Sequence, residues 1–194
     1  LLSMPFSHSF GLARLRVCIF NKQSFYVTNG LRDFPNIYKK FINKEINGLA
    51  LVPSAIEIVR AMLRSNSLKF GSYVNYMEVG SSFISLDSRK WLKDNFKKTK
   101  IFHHYGMTEA SRSFFIDRGY KDNLKQTKNY VGDTCTRSVK FKLDHSGEKN
   151  SGEIMIKGPH LADGFFSLDG NNEIKPIKGW LRTKDMGLIK NNKL

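Results

Sequence analysis

Through the first half of the chain, short apolar runs alternate with stretches of helical spacing. Runs at 1–4, 24–28, 49–52, 75–79 and 100–103 predict strands. Helical patterns near 10–20, 34–46, 54–65 and 86–97 lie between them. In the third of these, Ser54 and Glu57 have the spacing of a capping box, and apolar Ile56, Val59, Ala61, Met62 and Leu63 accompany them. Strand–helix alternation of this kind predicts an α/β fold, a parallel sheet flanked by helices.

From residue 106 onward the pattern changes. Residues 139–143 and 153–157 predict two strands, joined by the turn-rich Asp144-His145-Ser146-Gly147 and Asn150-Ser151-Gly152. Further turn signals stand at Gly158-Pro159, Asp169-Gly170-Asn171-Asn172 and Lys178-Gly179. Short strands between such turns predict a small antiparallel, barrel-like β subdomain. The change of pattern falls between about 118 and 132, so we expect an α/β subdomain over 1–125 and a β-rich subdomain over 126–194. The chain opens at Leu1 inside a predicted strand and stops at Asn191-Asn192-Lys193-Leu194 inside a predicted hairpin. Truncation at both ends is therefore expected.

Charge adds one question and composition answers part of it. Thirty-two basic against 17 acidic residues give a net charge of +15, which raises a polyanionic partner. The excess is spread as +5, +5, +3 and +2 over 1–50, 51–100, 101–150 and 151–194, with no basic tail. Lys90, Lys93, Lys97, Lys98 and Lys100 form the densest group and read as a solvated helix face. No aromatic ladder accompanies them, so a nucleic-acid-binding module ranks last. Cys18 and Cys135 form no CxxC pair and suit a reducing cytoplasm. No apolar run is long enough to span a bilayer.

Candidate chemistry sits at predicted strand ends, where open parallel sheets bind ligands. Tyr105-Gly106-Met107-Thr108-Glu109 follows a strand and is expected to open a short helix. There Tyr105 offers a flat face, Gly106 a close backbone, Thr108 a hydroxyl for phosphate and Glu109 a hard oxygen ligand for Mg2+. A plain strand-to-helix turn with an ordinary cap explains the same string. Glu78-Val79-Gly80-Ser81-Ser82 follows another strand end, and its small residues suit a planar base lying on the backbone, or a simple turn. His8 suits a carboxylate, or an ordinary structural role. Asp185, in Gly179-Trp180-Leu181-Arg182-Thr183-Lys184-Asp185, suits two ribose hydroxyls, or a surface turn.

Taken in order and spacing, these segments resemble the adenylate-forming, AMP-binding superfamily of acyl- and aryl-CoA ligases, peptide-synthetase adenylation domains and firefly luciferase. Tyr-Gly-x-Thr-Glu and Gly-Trp-x-x-Thr-x-Asp are the most specific strings, and Gly152-Glu153 through Gly158-Pro159 is a third. The resemblance implies an interior fragment of the large N-terminal domain. It also implies site roles: Tyr105, Gly106 and Met107 beside adenine; Thr108 on phosphate; Glu109 on Mg2+; Gly80, Ser81 and Ser82 along adenine and the acyl group; Asp185 on the ribose; His8 by the reacting carboxylate. His103 and His104 would narrow the acid's pocket or simply end the strand. The family usually carries Gly where this chain has Lys184, which puts the backbone there in question. Val131-Gly132-Asp133-Thr134 lacks the Pro and Gly expected just after it.

The reaction implied by the resemblance is carboxylate activation by ATP with Mg2+, forming an acyl-adenylate, then thioester formation with CoA or a carrier-protein thiol. Thr108, Glu109 and His8 are the expected catalytic residues. A catalytically inactive nucleotide-binding fragment is the alternative, because no phosphate loop or catalytic-lysine domain is present in this stretch of sequence.

Overall fold

The computed structural model describes every residue except 120, 121, 126, 128, 145–149, 167–173 and 191–193. Parts of the predicted turns at 144–147 and 169–172, and the terminal Asn191-Asn192-Lys193, lie outside the described residues. The chain forms two compact units, Leu1–His104 with Ile116–Asn129, and Tyr105–Phe115 with Tyr130–Leu194.

In the first unit, parallel strands β1 (Gly48–Leu51), β2 (Tyr76–Val79) and β3 (Lys100–Met107) pair in that order. Leu49, Ala50 and Leu51 are all buried, the continuous apolar run expected of a strand covered on both faces. Helices α1 (Ser9–Phe20), α2 (Phe34–Ile42), α3 (Pro53–Leu63), α4 (Ser67–Gly71) and α5 (Leu86–Asn95) accompany them. The helix faces follow their spacing: Phe34, Ile37 and Phe41 in α2, and Ile56, Val59 and Leu63 in α3, are buried. Phe70 of α4 is the hub, with ring centroids 5.0 Å from Phe41, 5.3 Å from Tyr38, 5.7 Å from Phe34 and 6.3 Å from Phe96.

Several local expectations are corrected. The runs at 1–4 and 24–28 make a single parallel bridge, Leu2 to Val27, in place of two strands. The Ser54–Glu57 capping box does not form. Helix α3 starts one residue earlier, with Pro53 in its first turn and no side-chain cap. Glu57 instead accepts a hydrogen bond from Ser88 Oγ at 2.5 Å. The short α4 was not expected at all, because five residues carry too little periodicity to register.

The second unit is antiparallel. β3 turns directly into β4 (Ala110–Asp117), whose residues Phe114 and Phe115 pair with β5 (Asp133–Thr134). A three-stranded sheet has the order β10-β7-β6, from Leu181–Leu188, Ser151–Lys157 and Lys140–Asp144. A two-stranded ribbon joins β8 (Gly164–Phe166) and β9 (Ile174–Pro176). Alternate burial of Gly152, Ile154 and Ile156 along β7 shows one face packed on a small core with Phe114, Leu143 and Leu181. The expected barrel is corrected: among the described residues these sheets stay open, and no closed barrel forms.

Candidate active site

The residues singled out from the sequence divide between the units. His8, Gly80, Ser81 and Ser82 belong to the first; Tyr105, Gly106, Met107, Thr108, Glu109 and Asp185 belong to the second.

The Tyr105–Glu109 string does not open a helix. Tyr105, Gly106 and Met107 complete β3, and Thr108 and Glu109 form the turn into β4. No helix start is there to offer amides for phosphate at Thr108, which lies exposed at a hairpin tip. Gly106 has a packing reason of its own: a Cβ would lie 2.5 Å from the Arg112 amide nitrogen and 2.7 Å from the Ala110 carbonyl oxygen. The Glu109 carbonyl accepts from Ala162 N at 2.8 Å, tying the turn to the segment after β7. Arginine 112, just into β4, takes a left-handed φ of 56°.

Asp185 is aimed by an irregularity. Arg182 pairs with Met155 and Met186 with Glu153, so Thr183, Lys184 and Asp185 stand opposite Ile154 alone. Such a bulge re-aims side chains out of the ladder. Buried Thr183 fastens it, donating from Oγ1 to the Ile154 carbonyl at 2.8 Å and accepting from Asp185 N at 3.1 Å. Lys184 sits at φ 64°, and its amide donates to Glu153 Oε1 at 2.9 Å. The left-handed backbone that glycine would supply is thus kept by a lysine, at a steric cost of about 1 kcal/mol.

The two motifs meet. Tyr105 Oη donates to Asp185 Oδ2 at 2.6 Å across 80 residues of sequence. The Tyr105 ring packs on Phe114, centroids 5.8 Å apart. Burial, and then the bond to Asp185, push the Tyr105 phenol well above its ordinary range, so it stays a donor at any physiological pH. An exposed carboxylate thus stands beside a half-buried aromatic ring, setting acceptor oxygens next to an apolar plane.

In the first unit, His8 is the N-cap of α1: its Nδ1 accepts from Phe10 N at 3.3 Å, which leaves only Nε2 for a ligand. Gly80 is buried, and a methyl group there would collide with the His104 ring. Ser81 adopts φ 79°, and the Ser82 carbonyl lies 2.9 Å from His103 Nε2. A bond of this kind contributes about 1 kcal/mol, similar to the cost of a left-handed serine. His104 lies 3.1 Å from Glu78 Oε1, with Arg14 Nη1 3.1 Å from Glu78 Oε2 and the Phe10 ring 4.7 Å from the imidazole. Glu78, His103 and His104 were missed as parts of one arrangement. The two histidines were visible as neighbours of Tyr105, and the Glu78–Ser82 segment as a candidate loop, but not that the two meet.

A second buried network in this unit is structural. Arg89 binds Asp122 Oδ2 through Nε and Nη2 at 3.1 and 2.7 Å, and Arg118 Nη1 donates to the Thr127 carbonyl at 2.8 Å. Burial, and then the Arg89 charge, lower the Arg118 guanidinium to about 10. Among the described residues no group of three His, Cys, Asp or Glu side chains is arranged to hold a metal.

A family model described as an AMP-binding enzyme matches residues 1–166. The chain belongs to that family. It is 21% identical over 189 residues to a 2-succinylbenzoate–CoA ligase of Oceanobacillus iheyensis, covering 97% of this chain and 38% of that protein. Identity to a probable 4-coumarate–CoA ligase 3 of Dictyostelium discoideum is 23%, covering 96% and 34%. Among solved structures, o-succinylbenzoate CoA synthetase of Bacillus subtilis with ATP and magnesium ion matches with TM-score 0.78 at 20% identity, covering 98% of this chain and 39% of that one. The inhibitor-bound N-terminal domain of FACL13 from Mycobacterium tuberculosis matches with TM-score 0.79 at 17% identity, covering 99% and 48%. At these identities the likeness establishes the mixed α/β fold. The chain spans under two fifths of the length of the two ligases just named.

Proposed function

We propose that the protein to which this chain belongs activates a carboxylic acid with ATP, forming an acyl-adenylate, and passes the acyl group to the thiol of CoA or of a carrier protein. The observation that carries the reading is the 2.6 Å bond from Tyr105 to Asp185. It brings the two most specific strings of the sequence together, in a chain of a family described as AMP-binding enzymes. The relatives named above as CoA ligases support the choice of acceptor.

In this reading Asp185 accepts both ribose hydroxyls, and Tyr105 holds that carboxylate in place while its ring borders the base. Gly106 and Met107 bring backbone alongside. Gly80, Ser81 and Ser82 supply a loop with little side-chain bulk for adenine and the acyl group. Thr108 at the hairpin tip donates its hydroxyl to phosphate. His8, through its remaining Nε2, orients the carboxylate. Glu109 is the Mg2+ ligand. Its carboxylate is the hard oxygen donor that such a cation needs, with the other oxygens coming from phosphates and water. Bound there, Mg2+ would neutralise phosphate charge. Positioning and charge stabilisation are the protein's contribution to this chemistry. Two free cysteines suit a cytoplasmic setting, and no helix among the described residues is long and apolar enough to cross a membrane.

Acid-dependent ATP–pyrophosphate exchange by the full-length protein tests the proposal. Exchange is expected in the wild type and is expected to be lost in Glu109→Ala with the fold unchanged. Wild-type exchange in that variant would remove Glu109 from the mechanism, and no exchange with any of a broad panel of acids would remove the activity.

A further inference from the structure

We infer that His103 and His104 are positioning residues: consecutive histidines on β3 that clamp the Gly80–Ser82 loop, one by a hydrogen bond and one by close packing. Consecutive strand residues point to opposite faces of a sheet, so the pair can hold a neighbouring strand end at two separate points. His103 Nε2 meets the Ser82 carbonyl at 2.9 Å. A carbonyl only accepts, so Nε2 must carry the proton in this contact. His104 packs its ring edge onto Gly80, and any side chain at that position would be driven into it. Between the two points of attachment, Ser81 is held at φ 79°.

Each clamp is itself braced. Glu78, two residues before the loop and buried, meets His104 Nδ1 at 3.1 Å, and Arg14 of α1 neutralises the same carboxylate at 3.1 Å. The Phe10 ring closes on the imidazole edge-on at 4.7 Å. His103 stays neutral over the physiological range, its pKa lowered to about 4, first by burial and then by the nearby Arg118, His104 and Arg89, against the opposing pull of the Ser82 carbonyl. A neutral ring keeps one N–H in a defined tautomer, which suits a permanent strut better than a titrating one. The arrangement explains why a loop of small, flexible residues, with Ser81 and Ser82 exposed, has one shape.

The loop's part in nucleotide binding rests on the function proposed above; the clamp itself does not, and the test separates them. Hydrogen exchange at the amides of residues 80–82 is followed in the full-length protein, alongside calorimetric titration with ATP. In His103→Ala, exchange in the loop is expected to rise about tenfold or more while amides in α3 and α5 keep their wild-type rates. His103→Gln, which can still donate to the Ser82 carbonyl, is expected to restore slow exchange. ATP affinity is expected to fall about tenfold in the alanine variant and to recover in the glutamine variant. Wild-type loop exchange in His103→Ala overturns the clamp. If that variant does not fold, His103→Gln decides alone: slow exchange is expected, and fast exchange overturns the proposal. A wild-type protein that binds no ATP would sink the proposed function while the exchange rates still judge the clamp.

Discussion

The two units differ in how they hold charged groups. Besides surface pairs such as Lys40 with Glu45 and Arg60 with Asp87, the first unit buries some of its charges: Arg89 is fully buried against Asp122, and Arg14 meets the buried Glu78. In the second, they lie on the rim of open sheets, as in Arg182 with Asp144 and Glu153, where Arg182 is 51% exposed. Buried pairs are costly to break, whereas rim pairs are screened by water and salt and are cheap to lose. The lesson is a division of labour. The first unit is built on parallel strands, and the second presents Thr108 and Asp185 exposed on a hairpin tip and a bulge.

The comparison can be broken most decisively through the cores. Phe70→Ala removes the ring at the centre of four aromatic contacts and should cost about 4 kcal/mol in urea unfolding. Phe114→Ala, with Tyr105 and Phe141 as its ring neighbours, should cost about 3 kcal/mol or less. Equal losses would erase the contrast. The ion pairs give the next effect. Asp122→Ala leaves Arg89 and Arg118 buried without their counter-charge and should cost about 3 kcal/mol or more, whereas Arg182→Ala should cost under about 1 kcal/mol. A costly Arg182→Ala would show that the second unit is stiffer than its exposure suggests.

A pH experiment sharpens the same point. His103 has an ordinary pKa near 6.5 when unfolded and about 4 when folded, so between these values the unfolded chain binds more protons. Its contribution to stability is complete above pH 6.5 and is lost as the pH falls toward 4. The difference between wild type and His103→Gln isolates it from the carboxylates: the variant should show a shallower loss of stability over that window. Identical slopes would contradict the burial of His103. The smallest effect belongs to the bulge. Lys184→Gly relieves a left-handed side chain at φ 64° but frees the unfolded chain, and should raise stability by about 1 kcal/mol or less. A clear destabilisation would mean that the lysine side chain contributes something beyond its backbone.

The parallel half of the fold was legible because its helical periodicities are long and its first strand, Gly48–Leu51, is continuously apolar. The helices near 10–20, 34–46, 54–65 and 86–97 each correspond to one found, displaced at their ends by a few residues. The hairpin at Thr108-Glu109 was not legible, since a strand that runs on through Tyr105-Gly106-Met107 and a strand that yields to a helix look alike over so few residues. The barrel expectation failed for a related reason: turn spacing predicts antiparallel pairs but says nothing of whether the sheet closes. Of the residues in the proposed site, Tyr105 and Asp185 stood out through their strings, but the hydrogen bond between them did not. Lys184 was legible as a departure, and the structure explains it, because the bulge keeps its left-handed turn without glycine. The clamp around Gly80 was invisible, as it depends on contacts between residues far apart in sequence.

The account turns on Asp185 as the group that receives the nucleoside. Calorimetric titration of the full-length protein with a non-hydrolysable acyl-adenylate analogue, wild type against Asp185→Ala, tests it most directly. The account predicts binding in the wild type and a loss of about a hundredfold in the variant, with unfolding stability changed by less than about 1 kcal/mol. Equal affinity in the two proteins would contradict it.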